Sequence, residues 1–343
     1  MPQAPSAWAA ASWISAQACC ASAPRDRHDL AEGASCPRAS RKASVRRHAL
    51  SRASLGITYG LCAYVLWGLF PVYFHAVSSV PALELLAQRV VWSFVFVGGL
   101  IAWRIGWQWV PGVVRSPRTL AVFTASAAMV FVNWGVYIFA VSHGRIVDAT
   151  LGYFMSPLVN VLLGAVFLHE RLRSLQWIAV SFAAGGVLWL TGYAGTVPWI
   201  GLALAAAFGL YGLLRKIAPL GAFEGLLLET ALILPAAGVY LAWIDHRGES
   251  VFWSASAGLQ LLVLASGPVT AMPLLFFAAS ARRIPLSTLG LIQYLGPSIQ
   301  LVLALSFYGE SLPAAKLWGY VAIWAALVLY SAEGLWQNRR AAA

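Results

Sequence analysis

Seven polar side chains stand inside otherwise apolar stretches of this chain: Asn133, Tyr137, Tyr153, Asn160, Gln293, Tyr294 and Gln300. Amides and phenols at neutral pH do no covalent chemistry unaided, but they present neutral hydrogen-bond donors and acceptors to a solute. Asn133 and Tyr137 lie four apart, while Tyr153 and Asn160, like Gln293 and Gln300, lie seven apart, so each pair shares one helix face. Within hydrocarbon such groups are held toward a bundle interior or an aqueous cavity. Two uses compete for each one: a place in a polar lumen, or a hydrogen bond to a neighbouring helix at about 0.6–2 kcal/mol. For a single residue the readings are even; the set on three helices points to a shared lumen. Trp67, near the middle of its stretch and close to Tyr64, is too deep for an interfacial anchor and offers a stacking surface. Trp103, Trp107 and Trp109 read as interfacial belt.

Charges inside apolar stretches are rarer. Arg89 and Glu229 hold equivalent positions 140 residues apart, but each is about 9 Å from an opposite face of the hydrocarbon, so they do not pair with one another. Arg89 is expected with Asp148 and Glu229 with Arg283, as structural pairs or gates. Glu229 is the deep carboxylate and the candidate for proton coupling. Pro157 and Pro297 each free a backbone carbonyl beside a small residue, Ser156 or Gly296, which suits a hinge or a static kink. Glu170 and Glu310 close their helices, Glu170 fixing a loop with Arg171 and Arg173. There is no HExxH run, no Gly-rich phosphate loop, no ATP-binding segment and no serine with a histidine partner, so neither an enzyme nor a cofactor is expected. Cys19, Cys20, Cys36 and Cys62 lack metal-ligand spacing.

The elements that must carry these residues are ten apolar stretches, each long enough to cross about 30 Å of hydrocarbon as a helix. They run Leu55 to Ala76, Leu83 to Trp103, Leu120 to Val141, Ala149 to Leu168, Leu175 to Tyr193, Trp199 to Leu214, Leu226 to Ile244, Ala257 to Ala279, Leu286 to Tyr308 and Ala314 to Ala332. With 60% hydrophobic and 10% charged residues in 343, the chain has too little polar surface for a soluble globule. Its net charge of +11 reflects membrane sidedness rather than a nucleic-acid-binding face. Eleven Lys and Arg after residue 52 fall on the side of the N-terminus (Arg215 and Lys216 among them) and four on the other, so both termini are expected in the cytoplasm. Residues 1–52 are rich in Ala, Ser and Arg without apolar periodicity, and read as a disordered extension from a misassigned start.

The chain also repeats itself. Pro157 and Glu170 recur as Pro297 and Glu310, and Glu84 as Glu224, all at an offset of 140; Gly60, Gly68 and Leu69 recur at 141 as Gly201, Gly209 and Leu210. Around the third and eighth stretches an offset of 138 maps Thr150-Leu151-Gly152 onto Thr288-Leu289-Gly290. The division is therefore 53–195 and 196–335, followed by a tail over 336–343. A unit of five helices is odd, so the second copy enters from the opposite side, giving an all-α 5+5 inverted repeat of the kind that supports alternating access. Ala183-Ala184-Gly185-Gly186 and the run Gly319, Ala322, Ala325, Ala326 offer small-residue faces for a homodimer or for the bundle alone.

The run from Gly56 to Ser93 resembles the opening of RarD proteins, in the EamA group of the drug/metabolite transporter superfamily. Tyr64 to Gly68, Phe70-Pro71, Pro81 to Glu84 and Arg89 with Trp92-Ser93 carry the likeness, joined by Asn133-Trp134-Gly135, Leu151 to Phe154 with Pro157-Leu158, Gln293-Tyr294 and Gly296-Pro297. The resemblance extends to about Gln337 and implies ten helices in the inner membrane around a central cavity lined by spans one, three, four, six, eight and nine. The expected function is a permease for small organic metabolites or drug-like solutes; the alternative is a channel or sensor without coupled transport. An uncharged, aromatic and amide-bearing lining hints at a neutral or zwitterionic solute.

Overall fold

A computed structural model describes residues 38–143, 145–194, 199–307 and 314–342, with side chains from residue 52 onward except at scattered positions, Asp148 among them. The chain divides into units 1–48 and 49–343. Of the first, only helical backbone from Arg38 is described, within the stretch expected to lack structure.

Among the described residues the chain is built of helices: α1 (Arg38–Gly68), α2 (Phe70–Ala76), α3 (Ala82–Arg104), α4 (Val110–Val114), α5 (Pro117–Ser142), α6 (Ile146–Phe167), α7 (Ser174–Ala194), α8 (Trp199–Ile217), α9 (Ala222–His246), α10 (Val251–Ser254), α11 (Ala257–Ala281), α12 (Leu286–Gln293), α13 (Leu295–Ser306) and α14 (Ala314–Ala342). Eight segments meet the length and apolarity of a membrane span, and the apolar helices Leu151–Phe167 and Leu317–Tyr330 are shorter. Helices are what hydrocarbon permits, since each backbone N–H and C=O must find its partner inside the segment. Large apolar side chains such as Leu188, Trp189, Val239 and Trp318 stand outward on the bundle, tolerable only where lipid is the solvent. The protein is a polytopic α-helical membrane protein.

Two spans are interrupted. Between α1 and α2 the helix breaks at Leu69, and Pro71, which falls in the first turn of α2, has no N–H to offer Trp67 O. Between α12 and α13 the break is at Tyr294, with Pro297 in the first turn of α13. Pro157, by contrast, lies inside the uninterrupted α6.

In the packing, α3 lies against α9 and α11, α8 against α5 and α6, α12 against α6, and α7 against α14. Glycines set the closest approaches. A methyl group at Gly68 would lie 2.7 Å from Ile299 Cβ, and one at Gly209 would lie 2.7 Å from Val159 Cγ1. The small-residue faces meet each other: a methyl at Gly186 would reach Gly319 O at 2.7 Å, and Ala183 and Ala326 are fully buried there. Gly186 and Gly319 thus serve the α7–α14 contact within one chain, whereas a methyl group at the neighbouring Gly185 would meet nothing within 4 Å.

Three carboxylates organise the interior. Glu84 accepts from Ser250 Oγ, Val251 N and Phe252 N at 3.0–3.1 Å, satisfying the first amides of α10. Glu170 accepts from Leu286 N, Ser287 N and Ser287 Oγ at 2.7–2.9 Å, capping α12 where the helix dipole favours an anion. The left-handed turn at His169 (φ 53°) aims it there, and Gly164 leaves room, since a methyl would lie 2.7 Å from Glu170 Oε2. This corrects the expected loop contact of Glu170 with Arg171 and Arg173: three converging donors outcompete exposed guanidinium groups, and Arg173 instead reaches Glu333 at 3.6 Å. Glu310 lies outside the described residues. Lys216 stands 3.7 Å from Glu170 and donates to Ala281 O and Ile284 O at the end of α11.

Glu229 differs from expectation too. Its partner is Arg215, at 3.5 Å, and not Arg283, which is turned to Ala279 O and the Tyr59 ring. Ser126 Oγ and Tyr211 OH donate to Glu229 at 2.6 and 3.3 Å, and Arg215 Nη2 donates to Ala222 O at 3.0 Å. Arg215, expected in a loop, is 1% exposed. The physical reason is that a buried carboxylate one helix away is a stronger attractor than the interface, and Gly225 leaves the guanidinium its space.

Removing one member of such a pair strands a buried charge at about 3–5 kcal/mol, whereas removing both does not. Arg215→Met or Glu229→Met alone is expected to lower the thermal unfolding midpoint in detergent by several degrees, and the double variant to regain most of that loss. Equal midpoints for all three variants would contradict the pairing.

Candidate functional site

A cavity of about 280 Å³ lies between α1–α2, α3, α5, α6, α8, α11, α12 and α13. Its floor and flanks are aromatic, from Tyr64, Trp67, Phe70, Phe74, Trp134, Tyr137, Tyr153 and Phe208. Trp67 and Phe208 meet edge to face with centroids 5.6 Å apart, and both touch Phe277, at 5.8 and 5.1 Å, the geometry that aromatic quadrupoles favour. Tyr137 and Tyr153 pack with centroids 6.3 Å apart.

Of the residues the sequence singled out, Trp67, Asn133, Tyr137, Tyr153, Gln293 and Gln300 line this cavity, with Pro297 in the wall beside them. The amides tie helices together as well as lining the space. Asn133 Nδ2 donates to Leu204 O at 3.0 Å, joining α5 to α8. Gln300 Nε2 donates to Trp67 O at 3.0 Å, satisfying a carbonyl in the last turn of α1 that the break at Leu69 leaves without a helical partner. The two competing uses of a polar side chain in a membrane are thus met by the same residues.

Asn160 and Tyr294 stand behind the wall instead. Asn160 is fully buried and donates from Nδ2 to Gln293 Oε1 at 2.8 Å, so it orients a lining residue from the second layer. Tyr294, at the break between α12 and α13, is fully buried in the cluster that holds Leu291, Phe154 and Ile323. Pro157 is covered by Gly290, whose close approach leaves 2.8 Å between a methyl there and Pro157 O.

Sequence reasoning missed the charge in the wall. Arg89 lines the cavity, donates from Nε to Thr270 Oγ1 at 2.8 Å, and holds its guanidinium carbon 5.4 Å from the Phe74 centroid and 5.3 Å from that of Trp134. Its expected partner, the Asp148 side chain, lies outside the described residues. The lining is therefore not the uncharged one expected. Phe74, Trp134, Phe208 and Thr270 were equally unmarked, for an apolar residue on an apolar helix carries no signal of which face looks into a cavity. Asn133, four positions from Tyr137, was the available pointer to Trp134. Of the three tryptophans read as belt, Trp103 is 73% exposed and fits, whereas Trp109 packs against the core.

The profile of the EamA-like transporter family matches residues 54–192. An uncharacterized transporter of Vibrio cholerae is 45% identical over 82% of this chain and 94% of its own length. Protein RarD of Streptomyces exfoliatus is 43% identical over 84% and 91%, and protein RarD of Escherichia coli K12 is 40% identical over 83% and 96%. A crystal structure 19% identical to the chain superposes with a TM-score of 0.63 over 80% of this chain and 96% of the other, a likeness of fold. Taken with the apolar helices and the cavity between them, these similarities make the chain a membrane transporter of the EamA family and a member of its RarD group.

Proposed function

We propose that the chain is a secondary transporter that moves small organic solutes across the inner membrane by alternating access, with ten spans arranged as a 5+5 inverted repeat and both termini cytoplasmic. The observation that carries this reading is a reciprocal contact. Gly68 meets Ile299 and Gly209 meets Val159, and these partners are related by the offsets of 141 and 140 that relate the two halves of the sequence. The first helix of each half thus packs on the fourth helix of the other, the mutual exchange that a two-fold relation requires. Trp67 and Phe208, also 141 apart, touch each other at the cavity, as equivalent residues beside a relating axis would, which supports the reading. Two halves with equivalent packing have two mirror conformations of similar energy, one opening to each side.

The cavity occupies the half of the bundle toward the α2–α3 connection. The half nearer the α11–α12 turn is closed by Arg215 with Glu229 and by Lys216 with Glu170. With cytoplasmic termini this is the conformation facing outward, and the inward one requires those two layers to part. The break at Tyr294 is the natural hinge, because Pro297 has no N–H to offer the carbonyl of Gln293 one turn before it, while Pro157 supplies the equivalent flexure in the other half.

Reconstituted in liposomes, the protein is expected to give saturable uptake stimulated by unlabelled solute on the far side. Conductance that never saturates would instead identify a channel. Reporter fusions are expected to place residues 105–116 and both termini in the cytoplasm and residues 247–250 outside. A reporter showing residues 105–116 and 247–250 on one side would remove the inverted arrangement.

A further inference from the structure

Among the described residues that line the cavity, Arg89 is the one charged side chain, and no carboxylate faces it there. We propose that the cavity is an anion site: it accepts an organic monoanion, whose carboxylate docks on Arg89 while a flat apolar body lies among Trp67, Phe74, Trp134 and Phe208. This rests on the carrier reading for its purpose, though not for its geometry.

Three features support it. The guanidinium is held in place, with Nε engaged by Thr270 and its plane flanked by the Phe74 and Trp134 rings, so that its terminal nitrogens form a fork of fixed direction. Such a fork matches two carboxylate oxygens and loses little conformational freedom on binding. The rest of the described lining is neutral, so a bound anion supplies a countercharge to a guanidinium withdrawn from water. Finally, no described side chain in the lining is a carboxylate that would pair with an ammonium ion, and the positive charge of Arg89 repels one, which favours a simple anion over the zwitterion that an uncharged lining suggested. The flat walls select for an aromatic or otherwise planar body, and the space suits a solute of one or two rings.

The test uses the purified full chain in nanodiscs and three probes sharing one ring system: indole-3-acetate (anion), indole-3-ethanol (neutral) and tryptamine (cation). Calorimetric titration is expected to show indole-3-acetate binding at least about tenfold tighter than either of the others. Arg89→Gln is expected to abolish that preference while Arg89→Lys keeps part of it. Thr270→Val, which leaves the charge in place but releases Nε, is expected to weaken indole-3-acetate several-fold and provides the measurement should Arg89→Gln not fold. Asp148→Asn is expected to leave the preference for the anion in place or to sharpen it. Equal binding of the three probes, absence of indole-3-acetate binding, a preference for tryptamine, or a preference that survives Arg89→Gln would each overturn the proposal. Counterflow of the same probes in liposomes separates the two readings. Arg89-dependent binding without counterflow leaves the anion site standing and removes the carrier, whereas saturable counterflow indifferent to Arg89 does the reverse.

Discussion

A polar or charged group inside hydrocarbon has no water to fall back on, and its partner must come from the protein itself. Nearly every specific feature of this bundle answers to that constraint. Glu84 and Glu170 reach the exposed amides of short helices, Lys216 reaches the open carbonyls of α11, Gln300 reaches the last turn of α1, and Arg215 leaves the interface for Glu229. The apolar contacts, being no better than contacts with lipid tails, hold the helices together by closeness rather than by exclusion of water. Hence the glycines at Gly68, Gly209, Gly186 and Gly319, which let backbones approach where a methyl group would collide.

The cavity exists where this economy of internal partners is locally incomplete. Around Arg89 the wall is made of rings and amides, and helix continuity is broken on two sides, at Leu69 and at Tyr294. Interrupted helices bring irregular backbone to the middle of a membrane protein only where it is covered by other protein or faces an enclosed space. Both interruptions here adjoin the same space, and Gln300 bridges them by bonding Trp67 O.

Much of this was legible in the sequence because membrane helices are written in long uniform stretches and because polar residues stand out against them. Asn133, Tyr137, Tyr153, Gln293 and Gln300 were found that way. What stayed hidden depends on tertiary choice. Asn160 has the spacing of a lining residue, yet the turn of α6 sets it against Gln293. Tyr294, next to the lining residue Gln293 in the sequence, is buried in the core between α6 and α14 instead. Arg283 was the expected partner of Glu229, but Glu229 took Arg215, since the α8–α9 hairpin brings them together at 3.5 Å. Arg89 was recognised as a charge inside a span; that it faces the cavity follows from Thr270 and two aromatic rings on other helices.

The Arg215–Glu229 pair also bears on how the chain is made. The two residues sit on consecutive helices fourteen positions apart, near the same end of the bundle. Neither helix is comfortable alone in lipid, since each would carry a naked charge until its neighbour arrives. Synthesis delivers α8 first, and a hairpin of α8 and α9 that enters the bilayer together carries both charges already paired.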